Sequence, residues 1–320
     1  MSKVSVSLAK LILVPLGFIF FNGFLEFSVA ADIAQTPLFL SQSVDPRVML
    51  LMSRDHQLSI KAYTDYSDLN GDGVLDTTYN DAIDYYGYFD NHKCYTYSDS
   101  LFEPAGSASG TYSHHCNGSS SQWSGNFLNW ATMTRMDIIR KVLYCGFRRT
   151  DSTTETVLER TFLPYDTHAF AKVFHTSTTG EMRHYVPYEE TTITLCNLTH
   201  ATGLSRSVDT SAYPPLLRVA KDNGSGTVGW PYWAASEKPE CTWGSGIHPS
   251  TSKRLSPSGS GNSTDGLFVR IKVCVSGSEE ANCKTYPNEH KKPTGLLQKY
   301  GEASRPLRFG LITGSYKKNK

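Results

Sequence analysis

The stretch NFLNWATMTRMDIIRKVLYC, residues 126–145, decides the fold class because it is the clearest helix in the chain. At the helical period of about 3.6 residues its apolar side chains fall on one face, as in a helix that covers a sheet. Those side chains are Phe127, Leu128, Ala131, Ile138, Ile139, Val142 and Leu143. We predict Asn126 as the N-cap, and Arg140 and Lys141 suit the negative end of the helix dipole.

Arg135 falls inside this apolar face. It is interpreted as a buried arginine paired with a carboxylate, or as one whose aliphatic part packs in the core while its guanidinium group reaches water. An anion-binding arginine is the functional alternative.

Strands are predicted on both sides of the helix. The apolar run RVMLLM at 47–52 indicates one buried strand, and the pattern at 156–164 indicates a further strand. A strong strand pattern follows at 266–275, and a further buried strand is predicted at 307–316. We expect the helix to cover a sheet formed by the strands at 47–52, 268–275 and 307–316, which gives an α/β fold class.

The first thirty residues have the layout of a secretory signal peptide. Lys3 and Lys10 precede an apolar run at 11–24, and small residues at 28–30 supply a cleavage site. An uncleaved N-terminal anchor is the alternative. We therefore expect an exported protein in the periplasm, the outer membrane or at the cell surface, with no membrane span in the mature chain.

The charge balance of the mature chain is neutral. Without residues 1–30, the chain carries 29 basic and 29 acidic residues. A net charge near zero argues against a nucleic-acid binder. About 290 residues remain, which is enough for one large or two modest domains.

The seven cysteines are expected to form disulfides, because an exported protein folds in an oxidising compartment. Spacing does not determine their connectivity. The pairs we expect are Cys94–Cys116, Cys196–Cys241 and Cys274–Cys283, and Cys145 is then left over.

An acidic segment precedes the helix. Between residues 62 and 92 there are seven aspartates and no basic residue except the terminal His92. Crowded carboxylates repel one another and favour expanded conformations, so the segment needs something that offsets its charge.

The sequence SDLNGDGVLD, residues 67–76, predicts a calcium loop of the form D-x-N-x-D-G-x-x-D. The predicted ligands are Asp68, Asn70, Asp72, the carbonyl of Val74, and Asp76. An EF-hand also needs a glutamate at position 12, where this chain has Tyr79. The loop is therefore not a helix-flanked EF-hand, or it is completed from elsewhere. An ordinary hairpin turn is the alternative.

Asp65, Asp81 and Asp84 are the candidates that could complete the calcium site. The nine-residue core also resembles the calcium loops of integrin α-subunit repeats, which join strands and need no twelfth ligand. The expected role of calcium is structural: the ion holds the loop and offsets the carboxylates.

A second group could bind zinc, since nitrogen and sulfur ligands in fours suit that ion. Its members are His92, Cys94, His114, His115 and Cys116, although the two cysteines could equally pair with each other. Their spacing fits no standard zinc pattern. The sequence contains no nucleotide-binding loop, no HExxH and no GxSxG, so we do not expect an enzyme.

Four longer phrases, at 85–97, 123–144, 156–174 and 292–316, resemble the N-terminal half of PilC/PilY-type proteins, the type IV pilus tip-associated adhesins and biogenesis factors. The resemblance implies an exported protein that acts in pilus assembly, in the balance of extension and retraction, and in surface attachment. The implied partners are pilin subunits or pilus assembly components, and a host or abiotic surface.

Family members commonly pair an N-terminal region like a von Willebrand A domain with a C-terminal β-propeller. The resemblance therefore implies that residues 31–320 form an incomplete von Willebrand A-like domain, truncated before the propeller, with a loop-rich, disulfide-containing insertion at about 60–125. The metal motif Asp-x-Ser-x-Ser of A domains is missing, because residues 53–57 read SRDHQ.

The functional alternative is a secreted calcium-dependent hydrolase or a carbohydrate-binding module. The aromatic loop GWPYWAA at 229–235 could hold a carbohydrate or a peptide. A hydrolase would need a convergent carboxylate pair or a nucleophile–base pair, and the sequence indicates neither.

Overall fold

The computed structural model describes residues 45–314 apart from 54, 164–169, 179, 200–214, 222–266 and 305. The predicted signal peptide and the aromatic loop 229–235 lie outside the described residues. In chain order the described strands are β1 (Arg47–Met52), β2 (Lys93–Ser98), β3 (Leu101–Ser107), β4 (Gln122–Ser124), β5 (Arg148–Asp151), β6 (Thr156–Glu159), β7 (Phe170–His175), β8 (Thr192–Thr199), β9 (Pro215–Lys221), β10 (Leu267–Phe268), β11 (Arg270–Val273), β12 (Cys283–Thr285), β13 (Lys291–Pro293) and β14 (Arg308–Thr313). The described helices are α1 (Gly125–Thr132), α2 (Arg135–Tyr144) and α3 (Leu296–Gly301), with 3₁₀ turns at His56–Ser59, Gly118–Ser120, Glu181–His184 and Pro287–Glu289.

The largest sheet has six strands in the order β4-β2-β3-β11-β6-β5. Strands β2 and β3 form an antiparallel hairpin, and β11 runs parallel to β3 and antiparallel to β6. All four residues of β6 are buried, as expected for a strand that is covered on both faces. The strand predicted at 156–164 is therefore present as β6, whereas the one predicted at 266–275 is divided between β11 of this sheet and β10 of another.

A second sheet has four antiparallel strands in the order β10-β9-β8-β7. Its buried side chains Phe174, Ile193 and Leu195 belong to the same hydrophobic cluster as Phe127 and Trp130 of α1. The cluster also contains residues of the six-stranded sheet. Helix α1 thus shares one core with both sheets.

The predicted helix 126–145 is broken into two. Met133 is extended, with φ −76° and ψ 141°, and ends α1. Thr134 and Asp137 then form a capping box that starts α2. The prediction of Asn126 as N-cap is wrong: Ser124 caps α1, accepting the Phe127 N–H at 3.3 Å.

Arg135 does not lie in a buried face, contrary to the predicted pattern. It is the first residue of α2 and its side chain is exposed. Because the extended residue Met133 interrupts the helix, the side chains of α2 no longer lie on the same face as those of α1. A pattern calculated for one continuous helix therefore places Arg135 on the wrong face.

Strands β1 and β14 form a separate parallel pair, in register from Arg47 opposite Arg308 to Met52 opposite Thr313. The prediction that both strands are buried is wrong, since Leu51 is 77% exposed and Leu311 is 60% exposed. The predicted three-stranded sheet is also wrong, because β11 belongs to the six-stranded sheet. An apolar run predicts a strand, but it does not identify the strand's neighbours.

Two of the expected disulfides, Cys94–Cys116 and Cys274–Cys283, are present. The third, Cys196–Cys241, stays a prediction because Cys241 lies outside the described residues. Cys145 is a buried free thiol at the left-handed C-cap of α2, and its Sγ lies 2.7 Å from Nδ2 of Asn282. The mixed α/β class with disulfides is thus confirmed for the described part of the chain.

Candidate functional site

The acidic loop at 67–76 is organised around the carboxylate of Asp68. Its Oδ1 accepts the backbone N–H groups of Gly71 at 2.6 Å and Asp72 at 3.2 Å, and its Oδ2 accepts that of Gly73 at 2.8 Å. These bonds, led by the one from Gly73, lower the pKa of Asp68. Ionised Asp68 therefore stabilises the turn at neutral pH.

Asn70 and Asp72 continue the same pattern along the loop. Oδ1 of Asn70 accepts the Asp72 N–H at 3.1 Å, and Oδ1 of Asp72 accepts the Val74 N–H at 2.8 Å. Gly71 and Gly73 have φ values of +78° and +86°, a left-handed conformation that glycine adopts without strain. The glycines thus allow the backbone to turn tightly around the oxygen-bearing side chains.

Asp76 closes the loop. Its N–H donates to the Ser67 carbonyl at 3.0 Å, and its Oδ2 accepts the Leu69 N–H at 2.8 Å. Its Oδ1 accepts the side-chain amide of Asn80 at 3.0 Å. The two ends of the loop are therefore tied together by Asp76 itself.

The three candidates for completing the calcium site have other partners. Asp65 is buried between Lys172, at 2.6 Å, and Lys61, at 3.3 Å. Asp81 lies 3.0 Å from His115, and Asp84 lies 2.9 Å from a ring nitrogen of His114. Basic side chains therefore engage all three, although Asp81 also lines the same cavity as Asp72 and Asp76.

The seven aspartates of the acidic segment thus fall into two groups. Four of them have a basic side chain within 3.5 Å, supplied by residues from outside the segment or at its end. They are Asp65, Asp81, Asp84 and Asp90. The other three, Asp68, Asp72 and Asp76, contact uncharged donors only among the described residues.

The donor set of the loop fits a hard cation such as Ca²⁺, which takes carboxylate, amide and carbonyl oxygens. The loop is open to solvent, and Val74 is 66% exposed. In the described part of the chain, three acidic, histidine or cysteine ligand atoms meet within 4.8 Å only at Cys274, Glu280 and Cys283. The loop carboxylates would therefore have to rotate away from their backbone N–H partners to gather around one ion.

Tyr79 explains why position 12 of the calcium pattern holds no carboxylate. Its side chain is 6% exposed and belongs to the core. The ring lies edge-on to Phe127 at 5.1 Å and to Tyr185 at 4.8 Å. Burial raises the pKa of Tyr79, and the neighbouring Asp81 charge adds to the effect. This position anchors the loop to the core.

Two buried asparagines of α1 hold the segment that follows the loop. Oδ1 of Asn126 accepts the Tyr85 N–H at 2.8 Å, while its Nδ2 donates to the Tyr79 hydroxyl and the Ile83 carbonyl, both at 2.9 Å. A buried amide that satisfies three groups of another segment fixes that segment on the helix.

Asn129, one helical turn later, does the same for the next part of the segment. Its Oδ1 accepts the Phe89 N–H at 3.0 Å, and its Nδ2 lies 2.7 Å from the Tyr85 carbonyl and 3.0 Å from the Phe89 carbonyl. Gly87 packs so closely that a Cβ there would lie 2.2 Å from Oδ1 of Asn129. This close approach leaves no room for a side chain at position 87, which explains why the residue there is glycine.

The sequence interpretation assigned Asn126 to an N-cap and missed the role of both asparagines in binding the acidic segment. Their spacing of three residues inside an apolar helix was the available signal, because polar residues on a buried face are retained when they make hydrogen bonds. It also missed the pair of buried lysines, Lys61 and Lys172, of which Lys172 lies 4.6 Å from the Trp130 ring. No periodicity distinguishes such lysines from exposed ones.

The zinc interpretation is wrong for its two cysteines. Cys94 and Cys116 form a disulfide, so neither offers a thiolate to a metal. The histidines of that group, His92, His114 and His115, contact carbonyl and carboxylate oxygens of the surrounding segments.

Within the residues that the structure describes, every helix is too short or too polar to span a bilayer.

Comparison with known proteins identifies related chains. A family model described as "PilY1 homolog, small alpha/beta domain" matches residues 76–220. A protein of Xylella fastidiosa (strain Temecula1 / ATCC 700964) described as "Type IV pilus biogenesis factor PilY1 homolog" is 40% identical over 278 residues, which cover 85% of this chain and 18% of the relative. A second protein of that strain with the same description is 28% identical over 304 residues, covering 90% of this chain and 23% of the relative.

No solved structure matches the chain. The chain spans 18% and 23% of the lengths of these two relatives, so the comparison concerns one region of much longer proteins. The matched region includes α1, α2 and most of the two larger sheets. The resemblance seen in the phrases at 85–97 and 123–144 is thereby confirmed, and the chain belongs to the PilY1-type family.

Proposed function

We propose that this chain is part of an exported type IV pilus biogenesis and adhesion protein. The observation that carries the proposal is the 40% identity over 278 residues to a protein described as a type IV pilus biogenesis factor. In this role the chain acts by binding and not by catalysis. Its partners are pilin subunits or other pilus assembly components, together with a host or abiotic surface.

The proposed activities are support of pilus assembly, balance of extension against retraction, and surface attachment. The N-terminal sequence supports export, since residues 1–30 have a basic start, an apolar core and a small-residue cleavage site. Two disulfides also agree with an oxidising compartment outside the cytoplasm.

Calcium is proposed to stabilise the acidic loop. The side chains of Asp68, Asn70, Asp72 and Asp76 and the carbonyl of Val74 would hold the ion. Support comes from the oxygen-only donor set, from the two left-handed glycines, and from the absence of a basic partner for the three loop aspartates among the described residues. The ion would supply the positive charge that the other four aspartates receive from basic side chains.

The β1–β14 pair is proposed to belong to a von Willebrand A-like sheet. Parallel pairing of strands this far apart in sequence supports this, because parallel strands are joined by long crossover connections. The exposed Met49, Leu51 and Leu311 also support it, since parallel sheets are normally covered on both faces. In this proposal the loop-rich segment at about 60–125 is an insertion into that domain.

The pilus proposal is tested by deleting the gene in its own bacterium and counting surface pili and twitching motility. Loss of both is expected, with recovery on re-expression of the chain. The matched control is the same chain without residues 1–30, which is expected to remain inside the cell and restore neither. Normal pili and motility in the deletion strain would refute the proposal.

A further inference from the structure

Two adjacent histidines beside the Cys94–Cys116 disulfide hold the acidic segment beyond its loop. His114 is 1% exposed. Its Nδ1 lies 2.8 Å from the carbonyl oxygen of Asp81, and its Nε2 lies 2.9 Å from Oδ1 of Asp84. A carbonyl oxygen and an ionised carboxylate only accept hydrogen bonds, so both contacts need a ring N–H.

A neutral imidazole has one N–H, whereas an imidazolium has two. Two other polar groups lie near Nδ1: Oδ1 of Asp81, which is an acceptor, at 3.4 Å, and Nδ2 of Asn126 at 3.1 Å. Nδ2 of Asn126 lies closer to the Tyr79 hydroxyl and to the Ile83 carbonyl, both at 2.9 Å, than to this ring nitrogen. Nδ1 is therefore left to donate to Asp81, and the full set of bonds around His114 exists only when the ring is protonated.

His115 binds the other side of Asp81. Its Nε2 lies 3.0 Å from Oδ2 of Asp81 and 3.2 Å from the Tyr185 hydroxyl, and its ring stacks on His184 at 4.5 Å. Asp81 is thus contacted by both histidines, through its carbonyl and through its carboxylate. The 3₁₀ turn that carries His184 joins the assembly by this stack.

We propose that His114 acts as a proton-dependent clasp between the acidic segment and the loop 94–116 that the Cys94–Cys116 disulfide closes. The protonated ring binds both Asp81 and Asp84, and loss of a proton releases one of these two contacts. The histidine clasp consists of His114, Asp81 and Asp84. It links Asp81 and Asp84, which lie 5 and 8 residues after the end of the candidate calcium loop at Asp76, to a region fixed by a disulfide. The inference concerns a different site from the calcium proposal and does not depend on it.

The groups that face His114 come from several elements. The acidic segment supplies Asp81 and Asp84, and α1 supplies the uncharged Asn126. The turn before β2 supplies His92, whose ring stacks on His114 at a centroid distance of 5.5 Å. His115 is the next residue in the chain, and it also pairs with Asp81.

The Asp81 carbonyl oxygen and Oδ1 of Asp84 lie 2.8 and 2.9 Å from the ring nitrogens of His114, whereas the His92 and His114 ring centroids are 5.5 Å apart. Burial acts against the charged ring, but the hydrogen bonds and charges of Asp81 and Asp84 outweigh burial and raise the pKa of His114. Burial also acts against the charge of Asp81, but His114 and His115 outweigh it and lower the pKa of that carboxyl.

These directions define the pH window in which the clasp is closed. Since the pKa of folded His114 is raised, its contribution to stability is full below its unfolded pKa and is lost as pH rises through the folded value. The lowered pKa of Asp81 gives a contribution that is lost only in strong acid. The clasp is therefore closed in mild acid and opens as pH rises through the raised pKa of folded His114.

The first test is a proton NMR titration of the imidazole signals in the purified chain, with the His114 signal assigned by its loss in His114→Gln. We expect a midpoint above 6.5, and a lower midpoint in Asp84→Asn, which removes the charge at Nε2. Asp84 has a 68% exposed side chain, so this variant retains the fold. A His114 midpoint at or below 6.5 would overturn the proposal.

The second test compares melting temperatures at pH 6 and pH 9 in the presence of a calcium chelator. The wild-type chain is expected to melt higher at pH 6, and the difference is expected to shrink in both His114→Gln and Asp84→Asn. His56→Gln is the matched control, because His56 also lies beside an aspartate, at 2.8 Å, but is 66% exposed. If Asp84→Asn kept the full wild-type difference, or if His56→Gln reduced it equally, the proposal would be refuted.

Discussion

Replacing Asn129 by alanine is expected to release the acidic segment from α1. Asn129 is fully buried and satisfies the N–H of Phe89 and the carbonyls of Tyr85 and Phe89. Alanine fills none of these roles, and each buried group left without a partner costs about 1–3 kcal/mol. Because the carbonyls each have a second lone pair, we expect a total loss of about 3–5 kcal/mol.

A loss of this size is a large part of the stability of a domain, which is typically about 5–15 kcal/mol. For a chain of this length it corresponds to a fall in melting temperature of about 5–8 °C. Urea unfolding followed by tryptophan fluorescence measures it directly, because Trp130 lies in α1 next to Asn129 and is 1% exposed.

The matched control is Asn117→Ala. Asn117 is an exposed asparagine near the same disulfide, and surface substitutions usually change stability by less than about 0.5 kcal/mol. If Asn129→Ala cost less than about 1 kcal/mol, the reasoning that this amide fixes the segment would be refuted.

Three further outcomes are expected. A calcium chelator lowers the melting temperature of the wild-type chain, and Asp72→Ala abolishes the difference; calorimetric titration is expected to give a Kd of about 10⁻⁴–10⁻³ M. Gly87→Ala destabilises the chain by about 1–3 kcal/mol in urea unfolding, because the new Cβ would lie 2.2 Å from Oδ1 of Asn129. Replacing Cys94 and Cys116 together by alanine lowers stability by about 3 kcal/mol, since the disulfide closes a loop between residues 22 apart.

Each of these has an outcome that contradicts it. Equal melting with and without chelator counts against calcium, and Asp99→Ala, at an exposed aspartate outside the loop, should leave the chelator effect unchanged. A wild-type urea midpoint for Gly87→Ala would mean that the contact with Asn129 is loose. A wild-type midpoint for the double alanine variant would mean that the loop is already ordered without the disulfide.

The sequence predicted the elements of the fold better than their arrangement. The apolar periodicity of 126–145 identified the helical region, but the break at Met133 depends on a capping box in which Asp137 serves two purposes. Its Oδ2 accepts the Thr134 N–H, and its Oδ1 accepts the N–H of Thr161 at 2.8 Å. Thr161 is distant in sequence, so a local pattern could not reveal that contact.

The sequence also did not predict which strands pair with one another. RVMLLM at 47–52 is apolar enough to predict a buried strand, yet its alternate side chains are exposed beside β14. Burial depends on which elements cover a strand, and that information is not in the strand itself. The disulfides Cys94–Cys116 and Cys274–Cys283 were predictable because both link cysteines that are close in sequence.

The aspartates of the acidic segment have two different kinds of partner. Asp65 and Asp90 face lysines, while Asp81 and Asp84 face histidines, so four of seven carboxylates have a basic partner. The loop carboxylates have only neutral donors among the described residues. Ordered N–H groups stabilise an isolated carboxylate, but they leave three negative charges within nine residues. A bound cation would remove that repulsion, and for this reason the calcium prediction applies to these three aspartates and not to their neighbours.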